Sequence, residues 1–135
     1  MVESNPLKGK SMAAPDSVVN LDEKFAGFDD RWSPKTVAAI NDLHVKVVKV
    51  EGEFVWHEHS DTDEFFLVMS GQLMIELRHR PPVTLGPGEL FVVPKGVEHR
   101  PIATGVCELL LLEPAGVVNT GEAESELTAT VDEWI

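Results

Sequence analysis

His57 and His59 stand two residues apart in the segment WHEHSDTDE, and a third histidine, His99, follows a Pro94-Lys95-Gly96 turn. On a strand, residues i and i+2 share a face, so His57 and His59 would send both imidazoles the same way. Glu64 comes five residues after His59, past an acidic loop and at the start of the apolar run FFLVM. A returning strand can bring its carboxylate beside the two rings. Three neutral imidazoles and one carboxylate suit a divalent transition metal: iron, manganese, nickel, copper or zinc. Two of the histidines with the carboxylate alone would make the facial triad of non-haem Fe(II) oxygenases. Taken singly, each piece has a plain explanation. An HxH pair on a strand decorates a surface, a histidine after a turn sits in a loop, and Asp61 and Asp63 read as solvated loop residues. The conjunction is what argues for chemistry.

Strands must carry these side chains, and the punctuation of the chain is that of β structure. TVAAI and the β-branched, largely alternating LHVKVVKV read as strands joined at Asn41-Asp42. EFVWHEH is expected to continue the second strand past Gly52. FFLVM and LMIELRH around Ser70-Gly71 read as a hairpin, and RPPVTLGPG as a turn-rich connection. LFVV and VCELLLL complete the set. Ahead of them, NLDEKFAGF fits a short helix with Asn20 as N-cap and Gly27 as terminator. Many short strands with frequent Gly and Pro and no βαβ alternation give the expected class: all-β, a sandwich or barrel with one short N-terminal helix. The expected organisation is a mobile tail over residues 1–17, a β domain over 18–118, and an acidic C-terminal tail over 119–135 that docks back through Trp134 and Ile135.

At this point the chain resembles the cupins. Their first motif is a glycine, HxH, three or four residues, a glutamate, six residues and a glycine. It is met by His57-Glu58-His59, four residues, Glu64, six residues and Gly71. The second motif is met by Gly88, five residues, Pro94-Lys95-Gly96, two residues and His99. The resemblance runs from about Val45 to Leu112. Two positions depart from it. Gly52 lies one residue closer to His57 than the motif has it, which calls for a bulge or register change there. Ala103 stands where the motif ends in Asn. The spacing also admits Asp63, and Gly71 at the six-residue offset is what favours Glu64. The resemblance implies a small jelly-roll β-barrel with His57, His59, Glu64 and His99 as metal ligands. NLDEKF, WSPK, EGEFVWHEH, VPKGVEHRP and EPAGVVNTG are similar to segments of small single-domain bacterial cupins labelled mannose-6-phosphate-isomerase-like. That label follows a fold, and a fold does not fix a reaction.

Alternation then sorts the neighbours. With His57 and His59 inward, Val55 points in, while Phe54, Trp56 and Glu58 point out. The aromatic pair needs cover, either from the segment holding Phe25, Phe28 and Trp32 or from a second subunit, and a homodimer is expected. Phe66 and Val68 follow Glu64 inward and floor the site. Leu73, Ile75 and Leu77 form core; Arg78 faces outward; His44 and His79 are expected at the surface. Cys107 reads as an inert core thiol.

The balance of 11 basic against 23 acidic residues leaves a formal charge of −12. Such a surface repels phosphate backbones and anionic membranes, so neither nucleic acid nor membrane is an expected partner. No apolar signal-peptide core opens the chain, and a lone cysteine makes no internal disulfide, so cytoplasm is the expected compartment. The expected function is metal-dependent action on a small oxygenated molecule, of dioxygenase type. The alternatives are a non-catalytic binding or sensing module, a sugar(-phosphate) isomerase, and a purely structural metal. Isomerisation needs a base, and the sequence presents no unassigned pocket carboxylate. A phosphate needs a cationic clamp, for which only Lys95 and Arg100 are near.

Overall fold

The computed structural model describes residues 17–135, so the expectation for residues 1–16 lies outside it. The helix α1, Leu21–Ala26, forms as its punctuation predicts. Asn20 is extended and its side chain accepts from the Glu23 N–H, Asp22 and Glu23 occupy the first turn, and Gly27 caps the end. The expected all-β class holds. Eight strands follow among the described residues: β1 Lys35–Ile40, β2 Leu43–Glu53, β3 Glu64–Ser70, β4 Leu73–Leu77, β5 Arg80–Leu85, β6 Leu90–Val93, β7 His99–Pro114 and β8 Glu133–Trp134.

The strands curl into the barrel-like jelly roll that the cupin resemblance implies. One path of neighbours runs β5-β4-β7-β2-β1-β8, and β3 lies off it between β6 and β7. The pairs are antiparallel except β1 with β8. The organising element is β7. One edge pairs with β2 from Leu43↔Pro114 to Glu53↔Ile102. The other edge is divided: Glu108–Leu112 pairs with β3, and His99–Ile102 pairs with β4.

This sharing overturns the hairpin expected for β3 and β4. The chain at Gly71 passes from one half of β7 to the other instead of folding back on itself. Gly71 has φ +86°, and a Cβ there would collide with the Val106 carbonyl and Cys107 Cα, so only glycine makes the crossing. The hairpin that does form joins β4 to β5 through Arg78 and His79, with His79 at φ +64°. The expected connection RPPVTL is thus the strand β5. It tolerates Pro81 and Pro82 because it is an edge strand.

The EFVWHEH segment is also corrected. Gly52, at φ +84°, interrupts the β2–β7 register after Val50, and the chain beyond Glu53 leaves the sheet except for an isolated bridge between His57 and His99. Strand alternation counted back from His57 therefore does not apply, and Phe54, expected outside, is buried. It stacks on Trp32 at 4.4 Å between ring centroids. Trp56 stays partly exposed and is covered by the guanidiniums of Arg78 and Arg100.

The barrel interior is packed by Val48, Val50, Phe66, Val68, Leu73, Ile75, Leu77 and Leu109, with Cys107 among them. A second cluster of Phe25, Val37 and Val47 lies under α1, with Ile135 against it. The chain after β7 folds back over the barrel. Asn119 donates to the carbonyls of Trp32 and Leu127 and accepts from the Ala129 N–H, Leu127 packs on the core, and β8 pairs with β1.

Candidate metal centre

Two short connections bring the histidines to one place. The bridge His57↔His99 is closed by both backbone hydrogen bonds, His57 N–H to His99 carbonyl at 3.0 Å and His99 N–H to His57 carbonyl at 2.9 Å. The Gly96 N–H, at φ +78° in the Pro-Lys-Gly turn, donates to the His59 carbonyl at 2.8 Å. The second motif thus holds the first in position through main chain. Glu64 opens β3 opposite Val93 of β6, which turns its carboxylate inward. Asp63 points away and accepts from the Lys95 N–H at 2.9 Å. Of the two carboxylates the spacing allows, Glu64 is therefore the one that reaches the histidines.

His57, His59, Glu64 and His99 are all buried, with one donor atom of each lying within 4.8 Å of the others. Glu64 Oε1 is 2.9 Å from His99 Nε2, 3.1 Å from His59 Nε2 and 3.8 Å from His57 Nε2. Nδ1 of His57 donates to the Val55 carbonyl at 3.0 Å, and Nδ1 of His99 to the Val97 carbonyl at 2.9 Å. A carbonyl only accepts, so these contacts put the proton on Nδ1 and turn the Nε2 lone pairs to the centre. Such outer hydrogen bonds are how metal-ligating imidazoles are oriented.

The residues fit a divalent transition metal. Donors at right angles around an ion, on bonds of about 2.1 Å, lie about 3.0 Å apart, close to the two shorter Glu64 distances. Nε2 of His57 and of His59 are buried without a hydrogen-bond partner; for His59 the 3.1 Å contact has the wrong direction for one. Unpaired buried polar atoms are costly, and an ion bound to them removes that cost. Charge agrees. Burial by itself would raise the Glu64 carboxyl, but the three imidazoles facing it outweigh that and hold the group well below the usual carboxylate range. His59 is pulled down by burial and more strongly up by Glu64, with a net rise.

Two more charged groups share the interior, and both went unnoticed in the sequence. Glu113 faces inward from β7 beside Glu64, since Phe65 pairs with Leu112 one residue away. Lys46 faces inward from β2 and holds Glu113 Oε2 at 3.0 Å and Asp132 Oδ1 at 3.1 Å. Burial, then the charge of Glu64, raises the Glu113 carboxyl despite Lys46. The signal was present: Cys107, Leu109, Leu111 and Glu113 alternate inward along one strand. His44, expected at the surface, is half-buried instead. Its ring meets Trp134 edge-on, and its Nδ1 lies 3.5 Å from Asp132. Arg100 and Lys95 supply no clamp at the centre. Arg100 binds Glu76 and Glu53, and Lys95 is exposed. Glu108 faces outward to Ser70, and Cys107 is buried as expected.

The cluster separates two cavities. An inner one of about 30 Å³, lined by Trp32, Phe54, His57, Glu64, Phe66 and Asn119 among others, holds roughly two waters. An outer one of about 440 Å³ lies between residues 58–62 and 114–122, with His59 in its wall.

Comparison with known proteins agrees with this architecture. The family model described as "Cupin domain" matches residues 44–113. A cupin-2 domain containing protein from Shewanella frigidimarina is 52% identical, with a TM-score of 0.70 over 72% of this chain and 94% of that one. The uncharacterized protein YdbB of Bacillus subtilis is 33% identical over 78 residues, 58% of this chain; the chain spans 63% of that relative's length. Hydroquinone 1,2-dioxygenase from Sphingomonas sp. TTNP3, solved with 4-nitrophenol, superposes with a TM-score of 0.67 at 22% identity, over 83% of this chain and 37% of that one. At that identity the likeness is one of fold.

Proposed function

The chain belongs to the cupin family, and from that premise we propose that it is a metal-dependent enzyme acting on a small oxygenated molecule by dioxygenase-type chemistry. One observation carries the reading: a buried four-donor cluster with two unpartnered imidazole nitrogens, bordered by a small apolar cavity on one side and a larger polar one on the other. His57, His59, Glu64 and His99 would hold the ion. When bound, an iron, manganese, nickel or copper ion supplies redox and Lewis-acid chemistry toward a chelating enediol or diketone and O₂. The chain's own residues do the rest. The Val55 and Val97 carbonyls fix two of the rings. Phe54, Phe66 and Trp32 keep bulk water from the inner side. Glu113, with Oε2 engaged by Lys46, has Oε1 left to carry a proton near the cluster.

Glu113 also gives the isomerase reading the base it lacked. The phosphate clamp is still missing, because Arg100 is neutralised on the outer surface by Glu76 and Glu53. A homodimer belongs to the same proposal. Leu90 and Val92 are exposed on the outer face of β6, near Met69 at the end of β3, and nothing among the described residues covers them. A second copy laid on this face would bury them.

The test is elemental analysis by mass spectrometry of untagged protein, purified anaerobically without chelator or added metal, followed by O₂ uptake with enediols and diketones. Stoichiometric iron, manganese, nickel or copper is expected, lost in His59→Ala and kept in Asp63→Ala. Protein that stays metal-free after reconstitution, or His59→Ala at wild-type stoichiometry, refutes the site. Bound metal without O₂ uptake leaves the binding or sensing reading, and zinc moves weight to isomerisation or a structural ion.

A further inference from the structure

Resting on that reading, we propose that the outer cavity selects its ligand by charge: it takes hydrogen-bond-donating small molecules that are neutral or cationic, and Glu58, Asp61 and Glu122 turn anions away. The cavity is a built one, about 440 Å³, within the range of small-molecule sites. His59, 8% exposed and with Nε2 unpartnered, forms part of its wall, so a ligand seated there adjoins the metal cluster. The charged and hydroxyl side chains around it are Glu58, Asp61 and Glu122 with Ser60 and Thr62, and among the described residues no lysine or arginine lines it.

The cations of the neighbourhood are committed elsewhere. Lys46 is held by Glu113 and Asp132, Arg100 by Glu76 and Glu53, and Arg78 by Glu98. Lys95 is exposed and does not line the cavity; it is its backbone N–H, not its ammonium, that Asp63 binds. Ionised carboxylates accept hydrogen bonds and never donate them. Ligand hydroxyls and ammonium groups are therefore matched, while a carboxylate or phosphate meets three carboxylates with no lysine or arginine side chain among the described lining residues to offset them. A cleft lined by one sign concentrates its field, and the overall charge of −12 adds to it. The two acidic walls are held together. Gly121, next to Glu122, packs so closely on the Glu58 carbonyl that a Cβ would clash, and Ser60 reaches Glu122 at 3.5 Å.

The test uses protein loaded with Co(II) and read by its visible absorption. The probes are catechol, its aminoethyl derivative and its carboxymethyl derivative. Catechol and the aminoethyl compound are expected to perturb the spectrum and bind, with the carboxymethyl compound about tenfold weaker or more at low salt. The gap should narrow at about 0.5 M salt and in the double variant Asp61→Asn, Glu122→Gln. Equal binding of the three probes overturns the charge selection alone, as does a gap that the double variant leaves unchanged. A cobalt spectrum that none of the probes moves overturns the metal-dependent reading, and the selection falls with it.

Discussion

Lys46→Met tests how the polar end of the barrel is held together. Lys46 is 2% exposed, with its ammonium 3.0 Å from Glu113 and 3.1 Å from Asp132. Methionine keeps most of the stem and removes the charge. Glu113, 4% exposed, is then left without its cation and beside Glu64 on the adjoining strand. Removing one partner of a buried pair costs about 3–5 kcal/mol, against roughly 0–1 kcal/mol for an exposed pair. The half-buried Asp132 contributes toward the lower figure, so the total stays near 3–5 kcal/mol. For a domain of this size that lowers Tm by about 10–20 °C.

The pH dependence has a definite sign. Glu113 already sits above the usual carboxylate range, by burial first and then by Glu64. Loss of Lys46 raises it further. A carboxyl whose folded pKa exceeds its unfolded one penalises the fold at high pH, so stability falls as pH rises from the unfolded value through the folded one. The defect of Lys46→Met should therefore be largest at neutral pH and shrink on acidification through that window. Glu64 has the opposite shift and loses its stabilisation in acid, but it does so in both proteins and cancels in the difference. Urea unfolding at several pH values, followed by circular dichroism, measures this, and Lys46→Met/Glu113→Gln should recover most of the loss. A deficit under about 1 kcal/mol, or one that pH leaves unchanged, would refute the reasoning.

Cys107 has its thiol pushed up to about 11 by burial, with Glu108 adding to the effect, so the folded protein should not react with a thiol reagent at pH 8 and should do so once unfolded in urea. Gly121→Ala places a methyl against the Glu58 carbonyl at a residue with φ +61°; the segment after Asn119 should lift, seen as a lower Tm and faster proteolysis between 119 and 131. Leu90→Glu should convert a dimer to a monomer by light scattering without changing metal content; a wild-type protein already monomeric at high concentration ends the dimer proposal.

Local signals carried most of what was legible in the sequence. The Asn20 cap and Gly27 stop place α1, the β-branched alternation places β2, and two spaced motifs point to the four side chains that the fold brings together. What was not legible depended on partners far along the chain. The run around Ser70-Gly71 looks like a hairpin locally, and only the length of β7 gives its two strands separate places on one neighbour. Phe54 was misplaced because alternation was counted back from His57 through residues that have left the sheet after Glu53. Glu113 lay in a readable pattern, but its inward direction meant little without Lys46 across the sheet.

The divided strand β7 also sets an order of events during folding. β2 meets its partner only across about fifty to seventy intervening residues, and β8 closes on β1 from still further away. Contacts that distant are formed slowly, because loop closure comes before any reward. His57 and His59 remain an open pair until His99 arrives on the same strand that completes the barrel. An ion encountered by the nascent polypeptide thus sees two loosely tethered imidazoles, and the complete binding set appears only near the end of assembly. On the proposed reading, a copy in which β7 has not docked lacks His99 and offers an ion only an incomplete set of donors.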